Sequence, residues 1–188
     1  MASTSGTPSE NIRRKAAELL NRHIFAAIDL RMQVAEAQWN VGCECIAIHE
    51  LLDQVAEAVE GYSDTISERR AALGAAKGMS EVAVERPFLA RYKLGIADDE
   101  AQIAAVMAAL AAFGDSVRQA SDEATALGDT DTTDVFNAVS RGIDYHLWLV
   151  ESYLSRSQAL LQLNKVSDWR RQDTLYRRRG PHGMEYPY

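Results

Sequence analysis

Four stretches of this chain, each about 30 residues long, repeat apolar side chains with the period of an α-helix, and the three connections between them are unequal. Thr7-Pro8-Ser9-Glu10 has the form of a capping box, with Thr as cap, Pro at the first helical position and Glu at the third. A first helix is predicted from there to Asn40, and Gly42 and its neighbours make a tight turn into a second helix that ends at Gly74. The segment from Gly74 to Ala97 contains Gly78, Pro87 and Gly95, and its weak periodicity allows one short helix near Glu81 to Glu85. Asp98 and Asp99 start a third helix, with Gly128 as its stop after Leu127. Asp131-Thr132-Thr133-Asp134 starts a fourth, predicted to reach Asn164.

Short connections make the first two helices antiparallel, and likewise the last two. The longer middle connection is unusual for a compact domain, but it lets the chain cross the length of a bundle. Four helices with one long crossover describe an all-α, ferritin-like four-helix bundle. The expected organisation is a disordered tail over residues 1–7, the bundle over 8–164 and a basic, aromatic tail over 165–188.

Composition narrows the class. A formal net charge of -7 on 188 residues argues against general attraction to nucleic acid unless positive charge is gathered in one place. The start, MASTSGTPSE, lacks the basic and apolar segments of a signal peptide. The longest apolar run, IAAVMAALAAFG, is short for a membrane helix, so no membrane partner is expected. Cys43 and Cys45 are two residues apart, poor geometry for a mutual bridge, and a reducing bacterial cytoplasm fits best.

The second predicted helix is two-faced. At about 100° per residue, His49, Asp53, Glu57, Glu60, Asp64 and Glu68 fall on one stripe, while Leu51, Leu52, Val55, Val59, Tyr62 and Ile66 occupy the other side. Two readings of the stripe are open: a solvated face, or a set of ligands. His49 and Asp53 are one turn apart, as are Asp64 and Glu68, but the two pairs stand 11 residues from each other. That is roughly 16 Å along a straight helix, too far for a common ion. Two copies packed antiparallel about a two-fold axis would bring each His/Asp end to the other copy's Asp/Glu end. Imidazole with three carboxylates suits divalent iron, manganese or zinc, and a cation would offset the repulsion of crowded carboxylates.

The segments LNRHIFAAIDLRMQVAEAQWNV, IAIHELLD, YSDTISERRAALG, GDTDTTDVF and HLWLVESYL, in that order, resemble the Dps family of mini-ferritins. The resemblance spans roughly residues 10 to 155. It implies a hollow homo-dodecamer with a di-iron ferroxidase centre at each two-fold interface, where ferrous iron is oxidised, preferentially by hydrogen peroxide, and ferric mineral collects inside. His49, Asp53, Asp64 and Glu68 match the family's ligands and catalytic residues. The family's first histidine, in His-Trp-Asn, is replaced here by Gln38 in Gln38-Trp39-Asn40. In the family that histidine serves the tighter iron position, and a glutamine amide is a much weaker ligand, so weaker binding and slower oxidation are implied. Near the site, Trp39 can intercept radicals or simply pack, and Cys45 can act as a soft ligand or as a small buried thiol. Cys43 reads as a turn residue.

His23 and His146 read as packed histidines rather than ligands, and Glu57 and Glu60 as mineral-nucleating or solvated acids. Family shells admit iron through acidic pores at three-fold axes, but the corresponding AAVMAALAAFGDS is poor in acids, with Asp115 and Asp122 the nearby candidates. Many Dps proteins also bind DNA through a basic tail. The C-terminal NKVSDWRRQDTLYRRRGPHGMEYPY offers Lys165, Arg170, Arg171, Arg177, Arg178 and Arg179, diluted by Asp168, Asp173 and Glu185. Multiple copies would strengthen a weak phosphate attraction; the other reading is a tail that packs on a neighbouring subunit.

The leading expectation is a mini-ferritin that stores iron, consumes peroxide and protects DNA. The alternative is a non-catalytic or zinc-holding shell acting in DNA compaction or as structure. A plain helical interaction protein is the third reading, separable by mass.

Overall fold

The computed structural model describes residues 9–42, 46–74, 89–93, 95, 96 and 98–178, with the side chains of 161 and 164–178 left aside. Four helices carry the chain: α1 (Glu10–Asn40), α2 (Ile46–Ala72), α3 (Asp99–Leu127) and α4 (Thr130–Arg178). No strand occurs among the described residues. The expected short helix near Glu81–Glu85 and the tail over residues 1–7 lie outside the described residues. Up to Glu151 the chain forms one compact unit, and Ser152 onward forms a second.

Helix ends follow from local chemistry, with two corrections to the sequence reading. The cap of α1 is Ser9, not Thr7: its hydroxyl accepts from Ile12 N at 3.4 Å and its carbonyl from Arg13 N at 3.0 Å. Glu10 is therefore the first helical residue, and the capping-box register shifts by two. Helix α4 opens one residue earlier than expected, because Asp129 takes the capping role. Its carboxylate accepts from Thr132 N at 3.2 Å and from the Thr132 hydroxyl at 2.7 Å, while its carbonyl accepts from Thr133 N at 3.0 Å. By contrast, α3 keeps the expected boundaries. Asp98 accepts from Ala101 N at 3.0 Å, and Gly128 closes the helix at φ 74°, a left-handed conformation suited to glycine.

The first unit's core is built from one stripe of each helix. Leu20, Ile24, Ala27, Leu30 and Val34 on α1 recur at three- and four-residue spacing and are fully buried. They share the core with Ile48, Leu52, Val55, Val59 and Ile66 of α2, Val106, Leu110, Phe113 and Val117 of α3, and Phe136, Val139 and Ile143 of α4. Each large side chain contributes about 1.5–3 kcal/mol through loss of apolar surface to water. By length and composition α3 could cross a membrane, but its Leu110, Phe113 and Val117 are spent in this core.

Polar contacts fix the ends and the middle. Arg69 reaches from the end of α2 to Asp129 at 2.7 Å, Asp131 at 3.1 Å and the Thr132 hydroxyl at 3.0 Å. Asp129 is only 2% exposed, so this ion pair sits out of water. Gly142 on α4 lies where any side chain would run into the Tyr62 ring and hydroxyl. His23 is buried against the edge of Phe136 and bonded at both ring nitrogens, 2.8 Å from Leu19 O and 2.9 Å from Ser116 Oγ. Burial pushes its pKa below the ordinary histidine value. It is a packed histidine, as its sequence context indicates. His146 is likewise engaged, with Nδ1 at 2.8 Å from Gly142 O and 3.1 Å from the Tyr62 hydroxyl.

In the second unit α4 continues as helix to Arg178, beyond the predicted end at Asn164. Leu160 and Leu163 stand exposed along it.

Candidate metal centre

The end of α1 and the start of α2 carry three chemically useful groups: Gln38, His49 and Asp53. Leu52 and Val55 turn into the core, which leaves His49 and Asp53, one turn apart, on the opposite face of α2. Across from them Gln38 projects from the last turn of α1. Its amide nitrogen donates to Asp53 Oδ1 at 2.5 Å. Ionised carboxylate oxygens only accept, so the amide must present its N–H here and its carbonyl elsewhere. His49 Nε2 is buried and has no hydrogen-bond partner among the described residues. A buried ring nitrogen without a partner costs about 1–3 kcal/mol, and it is the feature of this site that asks for an additional group.

Further along the same helix, Asp64 and Glu68 are exposed and one turn apart. Neither has an ion-pair partner among the described residues. They do not converge with His49 and Asp53: among the described residues of one chain, no group of three or more His, Cys, Asp or Glu is gathered to hold an ion. The two pairs stay apart on one subunit, as the 11-residue separation requires. The donor set fits a divalent metal in kind, since imidazole and carboxylate are ordinary ligands of iron, manganese and zinc.

Other stripe residues have different fates. Glu60 pairs with Arg31 at 3.2 Å, whereas Glu57 stays exposed. Trp39 is 70% exposed, next to Gln38, and Ile46 is equally open. Cys43 and Cys45 lie outside the described residues. Asp115 is held by Arg118 at 2.7 Å, and Arg118 also reaches Asp144 at 2.8 Å, while Asp122 is exposed. Lys165, Arg170, Arg171, Arg177 and Arg178 fall on the helical second unit, and Arg179 is outside the described residues. The contact missed by sequence reasoning is the Gln38–Asp53 bond: the two residues are 15 apart, and no periodicity links the end of one helix to the start of the next.

Comparison with known proteins agrees with this architecture. The model of the ferritin-like domain matches residues 17–160. The DNA protection during starvation protein of Agrobacterium fabrum is 31% identical over 146 residues, covering 77% of this chain and 90% of that protein. Among solved structures, Dps from Microbacterium arborescens in a high-iron form superposes with a TM-score of 0.69 at 28% identity, covering 79% of this chain and 98% of that one. The tetragonal form of Mycobacterium smegmatis Dps gives 0.71 at 25% identity, with 81% and 94% covered. The matched residues 17–160 include Gln38 on α1 and His49, Asp53, Asp64 and Glu68 on α2, and with the Agrobacterium fabrum relative they show that the chain belongs to the ferritin-like Dps mini-ferritins.

Proposed function

We propose that this protein takes up ferrous iron between two-fold-related subunits, oxidises it with hydrogen peroxide, stores the ferric product inside a dodecameric shell and so limits oxidative damage to DNA. The observation that carries this reading is His49 Nε2, buried and without a hydrogen-bond partner among the described residues, one turn from Asp53 on a helix whose Asp64 and Glu68 are too distant to serve the same ion. An antiparallel partner removes that distance. In the assembled site His49 and Asp53 of one subunit and Asp64 and Glu68 of the other bind and orient the substrate ion. The carboxylates lower its charge and hold it near the interface, and Trp39 lies beside it as an oxidisable aromatic. Each peroxide takes one electron from each of two ferrous ions and two protons from solvent, its O–O bond breaks, and it leaves as two waters.

The Gln38 substitution supports a second reading, in which the site is catalytically retired and the shell acts in DNA compaction or holds zinc. Both readings predict an assembly near twelve copies of a 20.8 kDa chain, measurable by light scattering. Anaerobic ferrous binding followed by peroxide addition distinguishes them. In the leading reading wild type oxidises iron at least tenfold faster than Asp64→Ala/Glu68→Ala, with slower turnover than Gln38→His. Equal rates for wild type and the double variant, with activity gained in Gln38→His, would establish the second reading.

A further inference from the structure

We infer that the Gln38 amide occupies the place of a second cation, so that each inter-subunit site holds one divalent ion rather than two. This rests on the proposal above that the site is completed by a two-fold partner.

The argument begins with the orientation of the amide. Gln38 Nε2 lies 2.5 Å from Asp53 Oδ1, and only the N–H edge of an amide can approach an ionised carboxylate so closely. The nitrogen therefore delivers partial positive charge to the oxygen that a second ion would otherwise neutralise. Because carbonyl oxygen and nitrogen share one carbon, the Gln38 oxygen cannot address the same point while the bond exists. The side chain thus acts as a donor to Asp53, and ligation by Gln38 would require breaking that bond and turning the amide over.

Among the described residues, one imidazole nitrogen, His49 Nε2, and the second oxygen of Asp53 have no hydrogen-bond partner on this subunit. With Asp64 and Glu68 from the partner, one ion has enough donors. A second ion would have to displace the amide from Asp53 and accept only an amide oxygen in return, a poor exchange for a borderline metal. The consequence for chemistry is direct. A site holding one ferrous ion offers one electron, whereas reduction of peroxide to water takes two, so coupled oxidation is slowed without loss of binding. Gln38 is in this sense a positioning residue that sets the number of ions.

The test uses zinc, which carries no redox chemistry. Zinc bound per chain is measured by equilibrium dialysis and elemental analysis on the assembled wild type, Gln38→His and Asp64→Ala/Glu68→Ala, the last supplying the background from other surface carboxylates. Helicity and assembly mass are checked for each. One site-specific zinc per chain in wild type and two in Gln38→His is the expected result. Two in wild type would overturn the inference while leaving the inter-subunit site standing, and this outcome does not depend on Gln38→His folding. One in both proteins would also overturn it, because Gln38 would not be what limits the count. No zinc above background in wild type or Gln38→His would remove the inter-subunit site itself.

Discussion

Removing the Asp129 carboxylate should cost more than any other single polar change at the helix ends. Asp129 caps α4 through Thr132 and pairs with Arg69 at 2.7 Å while 2% exposed. Loss of an N-cap side chain costs about 1 kcal/mol. Breaking a buried ion pair by removing one partner costs about 3–5 kcal/mol in the general case. That range is too high here, because Arg69 keeps Asp131 at 3.1 Å and the Thr132 hydroxyl at 3.0 Å, and its own side chain is 14% exposed. About 2–3 kcal/mol for the stranded guanidinium is more suitable, giving about 3–4 kcal/mol for Asp129→Ala. Asp129→Asn preserves a capping oxygen and should lose about 2 kcal/mol. At about 2–4 °C per kcal/mol for a chain of this size, the alanine variant should melt about 6–16 °C lower. Thermal unfolding followed by circular dichroism is the assay, at one fixed protein concentration because assembly makes the midpoint concentration-dependent. Arg69→Met and the double variant complete a cycle with an expected coupling of about 2–3 kcal/mol. An Asp129→Ala loss below about 1 kcal/mol, or additive single variants, would refute the buried-pair account.

Two further perturbations test the packing around the histidines. His23 has its pKa lowered by burial, so the unfolded chain binds its proton more readily than the folded one. Its contribution is fully present above the unfolded value near 6.5 and declines as pH falls below it, by up to about 1.4 kcal/mol per pH unit. Denaturation from pH 7.5 to 5 should show that slope in wild type and a shallower one in His23→Gln; parallel curves would dismiss the assignment. Gly142→Ala forces a methyl group onto Tyr62, whose ring carbon Cε1 would stand 2.8 Å from it, and should lose about 1–3 kcal/mol. In a Tyr62→Ala background the same change should become neutral or favourable, since alanine is the better helix former; an equal loss in both backgrounds would place the strain elsewhere.

The fold was legible because its determinants are local and periodic. Leu20, Ile24, Ala27, Leu30 and Val34 announce a buried stripe by spacing alone, and Asp98 and Gly128 bracket α3 as their chemistry demands. Capping was harder to read where several candidates stood together. Thr7 and Ser9 both suit an N-cap, and Asp129 competes with Asp131; the choice of Asp129 depends on Arg69, 60 residues away in sequence, which no local rule sees. The predicted end of α4 at Asn164 failed for a related reason: Asn164 is a weak helix former, but no glycine or proline interrupts the residues from there to Arg178. At the site, the stripe from His49 to Glu68 could be drawn from helical angles, and so could the separation of its two carboxylate-bearing ends. The Gln38–Asp53 bond could not, because it depends on how the α1–α2 connection sets two helix ends side by side.

Charge along α2 is compensated unevenly. Arg31 neutralises Glu60 near the centre of the stripe. The arginines at the end of the helix are turned away from it: Arg69 is committed to Asp129 and Asp131, and Arg70 donates to Asn21 at 2.7 Å. Asp53 receives only the Gln38 amide, and Asp64 and Glu68 have no ion-pair partner among the described residues. Bringing two such helices together antiparallel therefore places uncompensated carboxylates opposite one another at each end of the contact. Repulsion between like charges grows as water is excluded from the interface. A histidine at position 38 would leave that imbalance to be met by metal; a glutamine meets part of it with an N–H dipole. In the arrangement proposed above, glutamine at this position thus eases apposition of the two helices before any ion binds, and assembly should depend less on metal than the carboxylate pattern of α2 alone would require.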